Sequence, residues 1–215
     1  MSSSLYSMLT NYGSIIMLKN RLSYPNKFVE WTEDTFDYVQ YNPRKKIERF
    51  GLSLTSLDGG VTGVPDLDSL KDYNKEHNTN YTEHDFNVPT PVLEHDKLKQ
   101  FVEPIKNDIF RSHILKLNPG GYFPPHRDYY ATSTTSTKFG SFRIIVPLQN
   151  FNPPKFNFIL EDKILHWEAG HMYFINTAKT HYLFNASFDP SYWIVFNVNT
   201  TQETVDFVIR NVEFG

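Results

Sequence analysis

The fold is decided by seven short runs rich in β-branched and aromatic residues, which read HILKLNPGG at residues 113–121, FRIIVPLQN at 142–150, KFNFILED at 155–162, KILHWEAG at 163–170, HMYFINT at 171–177, HYLFNAS at 181–187 and YWIVFNVN at 192–199. Turn-forming Asn, Pro, Gly and Asp residues separate these runs. Closely spaced strands of this kind predict an antiparallel sandwich or barrel. We predict a double-stranded β-helix, or jelly roll, in a mainly β protein with flanking helices.

The rest of the chain is less regular in its pattern. Residues 1–92 hold short strand-like pieces separated by turn-rich text, and we expect them to pack irregularly on the barrel. Residues 97–109 place apolar side chains at helical spacing, and Pro104 among them indicates a kink or a restart of the helix. Since the sequence has no repeat and no low-complexity linker, we predict one domain over residues 1–215, with the jelly-roll core at 112–200.

Composition excludes several kinds of protein. The 215-residue chain has a formal net charge of −3, and its densest basic cluster is too short for a nucleic-acid-binding surface. It has no cysteine, which excludes disulfides, thiolate metal sites and a cysteine nucleophile. No apolar stretch approaches the ~20 residues of a membrane span, and the N-terminus lacks the basic region of a signal peptide. We expect a soluble, cytoplasmic protein that binds neither nucleic acid nor membrane.

The segment PGGYFPPHRD at residues 119–128 carries the first candidate metal ligands. His126 and Asp128 are two residues apart, and residues i and i+2 of a strand point to the same face. One more histidine from a distant strand would complete a 2-His-1-carboxylate triad, which leaves coordination positions open on Fe(II). We predict that His181, which follows a turn late in the chain, is this third ligand. His171 is the alternative.

With these residues the chain resembles the Fe(II)/2-oxoglutarate-dependent oxygenases of cupin type. Within them it is most similar to the aspartyl/asparaginyl β-hydroxylase-like proteins, which include proline hydroxylases of the free amino acid. The segments that carry this similarity are LKLNPGGYFPPHRD, FRIIVPLQN and GHMYFINTAKTHYLFNAS. The resemblance implies that His126, Asp128 and His181 are catalytic and hold iron. It also implies that 2-oxoglutarate chelates the iron as co-substrate, and that O₂ drives its oxidation to succinate and CO₂ as a substrate C–H bond is hydroxylated.

The resemblance further implies a cationic side chain for the far carboxylate of 2-oxoglutarate. Arg143 matches the arginine of the family's R-x-H/x-L-P strand, and its planar fork suits a carboxylate. Many relatives carry an arginine shortly after the distal histidine, where this chain has Ser191-Tyr192-Trp193. Either Arg143 works alone, with help from other polar residues, or the co-substrate pocket is altered. The candidate helpers are Tyr173, Asn185 and Asn197.

The substrate side of the site is the least defined by the sequence. We predict that the substrate is an amino acid, a peptide residue or a related small molecule, and that Arg49 or Arg127 meets its carboxylate. Aromatic residues near the ligands could line a pocket, although core packing is the simpler explanation for most of them; they are Tyr122, Tyr129, Tyr130 and Trp167. Two other functions stay open: a non-enzymatic cupin-type protein that binds a ligand or metal, and an iron oxygenase that does not use 2-oxoglutarate.

Overall fold

The computed structural model describes residues 2–61, 66–128 and 140–213. The α-helices in these ranges are α1 (Ser2–Tyr12), α2 (Pro25–Thr35), α3 (Leu70–His77), α4 (Asp96–Val102) and α5 (Gln202–Arg210). None of them is long and apolar enough to cross a membrane. The strands are β1 (Ile15–Arg21), β2 (Val39–Gln40), β3 (Arg49–Ser53), β4 (Thr55–Ser56), β5 (Val88–Pro89), β6 (Ile109–Leu117), β7 (Tyr122–His126), β8 (Ser141–Pro147), β9 (Phe156–Leu160), β10 (Lys163–Ile164), β11 (His171–Ile175), β12 (His181–Asn185) and β13 (Ser191–Asn199).

The eight strands from β6 to β13 form the predicted jelly roll. The larger sheet has the order β1-β11-β8-β13-β6-β3-β2, and the smaller sheet has the order β10-β9-β12-β7. The described strand pairs are all antiparallel. Successive strands alternate between the two sheets, apart from the β9–β10 hairpin. This arrangement confirms the mainly β, jelly-roll fold class.

The N-terminal part of the chain extends the larger sheet at both of its edges. β1 pairs with β11 at one edge, and β3 pairs with β6 at the other, with β2 beyond it. Residues 1–92 are therefore more regular than their sequence indicates. β2 and β3 are short, and β3 takes its place in the sheet by pairing with β6, far along the chain, so local sequence patterns carry little sign of them.

Buried apolar side chains form two clusters, one on each face of the larger sheet. The cluster between the two sheets includes Leu115, Phe158 and Trp193. The other cluster fills the space between the larger sheet and the helices. In β8, Ile144 belongs to the second cluster and Ile145 to the first, because successive side chains of a strand alternate between faces. Burial on both faces explains why this strand reads as a nearly continuous apolar run.

The helix indicated by residues 97–109 is interrupted next to Pro104, where the sequence indicates a kink or a restart. α4 ends at Val102, and a 3-10 turn then runs over Glu103–Asp108 with Pro104 near its start. Proline is tolerated there because the first turn of a helix leaves its N–H groups unbonded in any case.

A close backbone approach fixes the start of β7, the strand that ends at His126. Gly121 lies in the turn between β6 and β7, and its carbonyl accepts a hydrogen bond from the Asn185 N–H at 2.9 Å. A Cβ atom on Gly121 would lie 2.2 Å from the carbonyl oxygen of Glu48, which leads into β3. Glycine therefore lets β3, β7 and β12 meet at this point.

We expect Gly121→Ala to lower the free energy of unfolding by about 2 kcal/mol or more, because the Glu48 backbone must move to admit the methyl group. Chemical denaturation measures this change. The control is Gly120→Ala, whose Cβ would meet no atom within 4 Å, so only its positive φ of 78° opposes the side chain. That strain should cost about 1 kcal/mol. A smaller loss for Gly121→Ala than for Gly120→Ala would contradict the steric argument.

Candidate metal centre

Strand pairing brings His126 and His181 together. His126 ends β7, His181 begins β12, and the two residues are direct partners in the antiparallel register. Opposed side chains on one face of such a pair have Cβ atoms close to each other. The centroids of the two imidazole rings are accordingly 4.2 Å apart. The pair therefore owes its proximity to the register of two strands that are distant in the sequence.

A hydrogen bond to the backbone orients each imidazole. His126 Nδ1 donates to the Pro124 carbonyl at 2.7 Å, and His181 Nδ1 donates to the Lys179 carbonyl at 3.0 Å. With the proton on Nδ1, the Nε2 atom of each ring carries the lone pair that a metal ion needs. Both rings thus present Nε2 as a ligand atom.

Asp128 completes the group. Its backbone N–H donates to the Thr177 carbonyl at 2.9 Å, and its carboxylate oxygens lie 3.8 Å from His126 Nε2 and 3.7 Å from His181 Nε2. One ligand atom from each of the three residues lies within 4.8 Å of the others. Asp128 Oδ2 is buried and receives no hydrogen bond from the described residues. Two imidazoles and one carboxylate are the ligand set of non-haem Fe(II) oxygenases, so this donor set fits a ferrous ion.

His181, rather than His171, is the second histidine of this group. His171 begins β11, where its Nδ1 donates to the Leu18 carbonyl at 3.0 Å, and it is absent from the one metal-type cluster in the described ranges. Burial lowers the pKa of His181 from 6.5 to about 4, although the Asp128 carboxylate opposes the shift. Because neutral imidazole is the form that binds metal, His181 is ready to do so at neutral pH.

Arg143 lies beside these residues on the inner face of β8. Its Nη1 is 2.8 Å from Asp128 Oδ2, a contact between charges that lacks the alignment of a hydrogen bond. Its Nε donates to Asn197 Oδ1 at 3.1 Å, and the Asn197 amide in turn donates to the Arg111 carbonyl at 2.7 Å. Asn197 therefore positions the Arg143 guanidinium.

The structure does not bring the other two candidate helpers to the metal centre. The Tyr173 hydroxyl accepts a hydrogen bond from the Glu168 N–H at 2.9 Å. The Asn185 amide donates to the carbonyls of Leu117 and Asp189, both at 2.9 Å. Neither side chain lines the cavity at the two histidines. Their polar atoms stabilise turns and strand ends.

The two arginines considered for a substrate carboxylate have opposite surroundings. Arg127 is exposed, its Nε donates to Thr180 Oγ1 at 2.9 Å, and it does not line the cavity. Arg49 is only 4% exposed. It lies on the inner face of the larger sheet, opposite buried Leu117 in the strand register. Of the two, Arg49 is the one inside the sandwich.

A cavity opens on the two histidines and on Arg143, and its walls are mostly apolar and aromatic side chains from both sheets. Sequence reasoning missed most of these walls, among them Tyr41, Phe123 and Thr177. Phe123 shares β7 with His126 and stacks on it, with ring centroids 6.0 Å apart. The two-residue period of a strand would put these two residues on opposite faces; an irregularity in the β7–β12 register brings them together, and the local sequence carries no sign of it. Tyr41 follows a two-residue strand, and no pattern in the sequence indicated that it would line the cavity.

The aromatic residues considered from the sequence do not form these walls where they are described. Tyr122 is exposed, and Trp167 is buried in the core between the sheets without lining the cavity. Tyr129 and Tyr130 lie outside the described residues. Core packing, the simpler explanation, therefore applies to Trp167.

Comparison with known proteins shows the fold. No protein-family model matches the sequence, and no curated protein matches it. A 2OG-Fe(II) oxygenase family oxidoreductase from Burkholderia pseudomallei is similar in structure, with a TM-score of 0.51 at 10% identity over 94% of this chain and 91% of that one. HygX from Streptomyces hygroscopicus, solved with nickel, 2-oxoglutarate and hygromycin B, gives 0.54 at 10% identity over 94% and 88%. SnoN, a non-heme α-ketoglutarate-dependent epimerase from nogalamycin biosynthesis, gives 0.53 at 10% identity over 95% and 89%.

His113 makes the stability of the protein depend on pH. It lines the cavity, and burial, together with the charges of Arg143 and Arg111, lowers its pKa from 6.5 to about 3. Between these values the unfolded chain binds a proton that the folded chain does not, so stability falls as the pH falls.

We expect His113→Gln to reduce the slope of the unfolding free energy against pH by about 1.4 kcal/mol per pH unit between about pH 5.5 and 4, since one titrating group is removed. Urea denaturation of the metal-free protein at several pH values measures this slope. In the metal-free state His181 also contributes to this slope, and its contribution is the same in the wild type and in His113→Gln. An unchanged slope would show that His113 gains its proton equally in the folded and unfolded states.

Proposed function

We propose that this chain is an Fe(II)- and 2-oxoglutarate-dependent dioxygenase that hydroxylates an amino acid, a peptide residue or a related small molecule in the cytoplasm. The observation that carries the proposal is the convergence of His126, Asp128 and His181, with one ligand atom of each within 4.8 Å of the others. Both histidines also line a cavity. A catalytic metal needs such an open side, whereas a structural metal is closed in by its ligands.

The three residues would hold the metal and set its charge. Two neutral imidazoles and one carboxylate offset one of the two positive charges of Fe(II), which leaves a net attraction for an anionic co-substrate. When bound, the iron would supply O₂ activation, in which 2-oxoglutarate becomes succinate and CO₂, one oxygen atom enters succinate and the other enters a substrate C–H bond. The carbonyls of Pro124 and Lys179 keep both Nε2 atoms directed at the metal, as outer contacts of metal ligands commonly do.

We assign Arg143 to a carboxylate of 2-oxoglutarate. It is the one arginine or lysine among the described residues that line the cavity. Asn197 occupies its Nε, and Nη1 lies 2.8 Å from Asp128 Oδ2, so a carboxylate of 2-oxoglutarate would meet the guanidinium at its Nη edge in competition with Asp128. A guanidinium held in this way can bind a carboxylate through two parallel hydrogen bonds.

Two other functions fit parts of the same site. A cupin-type protein that binds a ligand or metal without catalysis would need no open coordination positions beside an inward-facing arginine. An iron oxygenase that does not use 2-oxoglutarate is favoured by one observation, the contact between Arg143 Nη1 and Asp128 Oδ2. In such an enzyme Arg143 would serve the metal ligand alone.

One experiment separates the proposed dioxygenase from the other two functions. The protein is mixed with Fe(II) and 2-oxoglutarate without O₂, and the weak visible charge-transfer band of the chelate is recorded. O₂ is then admitted, and succinate is assayed. The dioxygenase should show the band and form succinate, even without its substrate, by uncoupled turnover. Absence of both would refute the proposal.

Removal of either histidine of the metal centre should abolish iron binding. We expect His126→Ala and His181→Ala to lose the charge-transfer band and the bound iron, because the two protein ligands that remain are too few to hold the metal. His171→Ala is the matched control, since this histidine is half-buried and bonded to the Leu18 carbonyl but lies apart from the group. It should keep full iron content, and its loss of iron would assign the third ligand to His171.

Arg143→Gln should weaken the binding of 2-oxoglutarate far more than that of iron. A hydrogen bond to a charged group contributes about 1.5–3 kcal/mol, which corresponds to a rise of about 10- to 100-fold in the 2-oxoglutarate concentration needed. Titration of the charge-transfer band measures it. Arg127→Gln, next to the ligands but outside the cavity, should have no effect. If Arg143→Gln needs the same concentration of 2-oxoglutarate as the wild type, Arg143 does not bind the co-substrate.

A further inference from the structure

Arg49 is a buried cation on the inner face of the larger sheet. It lies on β3, opposite Leu117 of β6, and only 4% of its surface is exposed. Burial lowers the pKa of its guanidinium, as expected for a charge removed from water. Arginine nevertheless stays protonated in proteins. The sandwich interior therefore contains a full positive charge at this position.

No acidic side chain balances this charge. Within the described ranges, no carboxylate oxygen lies within 4.0 Å of the guanidinium, and the side chain donates no hydrogen bond. Its Nε is buried without a partner there. The positions outside those ranges, residues 1, 62–65, 129–139 and 214–215, include neither Asp nor Glu. Burial of an arginine without an acidic partner is rare, because it costs stability.

Two aromatic rings contact the guanidinium instead. Its central carbon is 4.3 Å from the ring centroid of Phe123 and 5.4 Å from that of Tyr41. Such contacts stabilise a cation by less than burial destabilises it. The side chain donates no hydrogen bond to either residue, so its N–H groups remain open to an acceptor. A carboxylate suits these groups, since it accepts two parallel hydrogen bonds.

Both rings are walls of the cavity at the metal centre. Phe123 and Tyr41 line it, and Phe123 also stacks on His126. A single ring therefore separates Arg49 from a candidate metal ligand. Arg49 contacts both rings but is not itself one of the lining residues, so a carboxylate would reach it past these rings. Arg143, at the same cavity, already contacts Asp128 and Asn197, whereas Arg49 has no such contact with the described residues.

We infer that Arg49 binds a carboxylate of the molecule held in this cavity, and that the substrate is therefore a carboxylic acid. The inference rests on the proposed function in one respect, namely that the cavity is the active site. In that function Arg143 serves the co-substrate, which leaves Arg49 for the substrate. An organic acid, an amino acid or a peptide with a free carboxylate meets this requirement. An amide or an ester does not.

The first test needs neither iron nor substrate. The melting temperatures of Arg49→Met and Arg111→Met are compared with that of the wild type, all without metal. Arg111 is the matched control, because it is also largely buried but pairs with Glu83. Methionine fills the space without the charge, so Arg49→Met should raise the melting temperature by about 2–4 °C and Arg111→Met should lower it. A fall in Arg49→Met would make Arg49 a structural residue and overturn the inference.

The second test uses propanoate as the probe on the same metal-free proteins. Sodium propanoate should raise the melting temperature of the wild type in a saturable way, because a ligand of the folded state stabilises it. Propanamide, and sodium chloride at equal ionic strength, should not. Arg49→Met should lose the response to propanoate. An equal response in Arg49→Met, or none in the wild type, would overturn the inference.

A third comparison distinguishes substrate from co-substrate as the source of the carboxylate. 2-Oxoglutarate and 2-oxopentanoate differ only in the far carboxylate, and titration of the charge-transfer band of the Fe(II) protein gives both affinities. If Arg49→Met keeps the wild-type preference for 2-oxoglutarate, the carboxylate at Arg49 belongs to the substrate, as inferred. If Arg49→Met reduces the preference for 2-oxoglutarate over 2-oxopentanoate by about tenfold or more, the carboxylate at Arg49 belongs to the co-substrate. That result would overturn the inference that the substrate is a carboxylic acid. If neither acid binds to the wild type, the proposed function fails, while the first two tests still stand.

Discussion

The antiparallel pairing of β7 with β12 is the constraint on which the metal centre depends. It sets His126 directly opposite His181, and β9 holds β12 in the same register on its other side, with His181 opposite Leu160. A shift of one residue would turn a whole strand over and send one imidazole to the outer face. The apolar inner face of the smaller sheet opposes such a shift, because Phe158 and Leu183 would then lose their burial in the core. The geometry of the metal centre is therefore a consequence of core packing.

Charge inside the sandwich is concentrated where the proposed chemistry takes place. The space between the sheets is mostly apolar, yet Arg49, Asp128 and Arg143 project into it or border it. Buried charges cost stability, and natural proteins keep them mainly where binding or catalysis needs them. Asp128 and Arg143 offset each other, whereas Arg49 has only aromatic contacts among the described residues. A divalent cation at Asp128 and a carboxylate at Arg49 would together satisfy these groups.

The N-terminal part of the chain contributes to the site as well as to the fold. β3 supplies Arg49, and Tyr41, beside it, becomes a wall of the cavity. Tyr6 of α1 lies close enough to Asp128 that the carboxylate, in addition to burial, raises the pKa of its hydroxyl to about 12. The jelly roll is common to many functions, so the fold alone does not decide what the cavity accepts. These added elements define its substrate side.

The sequence by itself determined the strands of the jelly roll, and it proposed His126, Asp128 and Arg143 as site residues, because strands and turns leave a local pattern in the chain. Asp128 lies beyond the end of β7, so its position depends on the hydrogen bond from its N–H to the Thr177 carbonyl and not on the strand period. The sequence-based prediction that Tyr173 and Asn185 serve the co-substrate found no support in their positions, since hydrogen-bond partners depend on folding. Only the tertiary structure decided the register that selects His181 over His171, the backbone carbonyls that fix both imidazoles, and the lack of an acidic partner for Arg49 among the residues that the structure describes. The physical reason is that pairing, burial and charge balance depend on residues far apart in the chain, and local patterns record only the direction in which each side chain points.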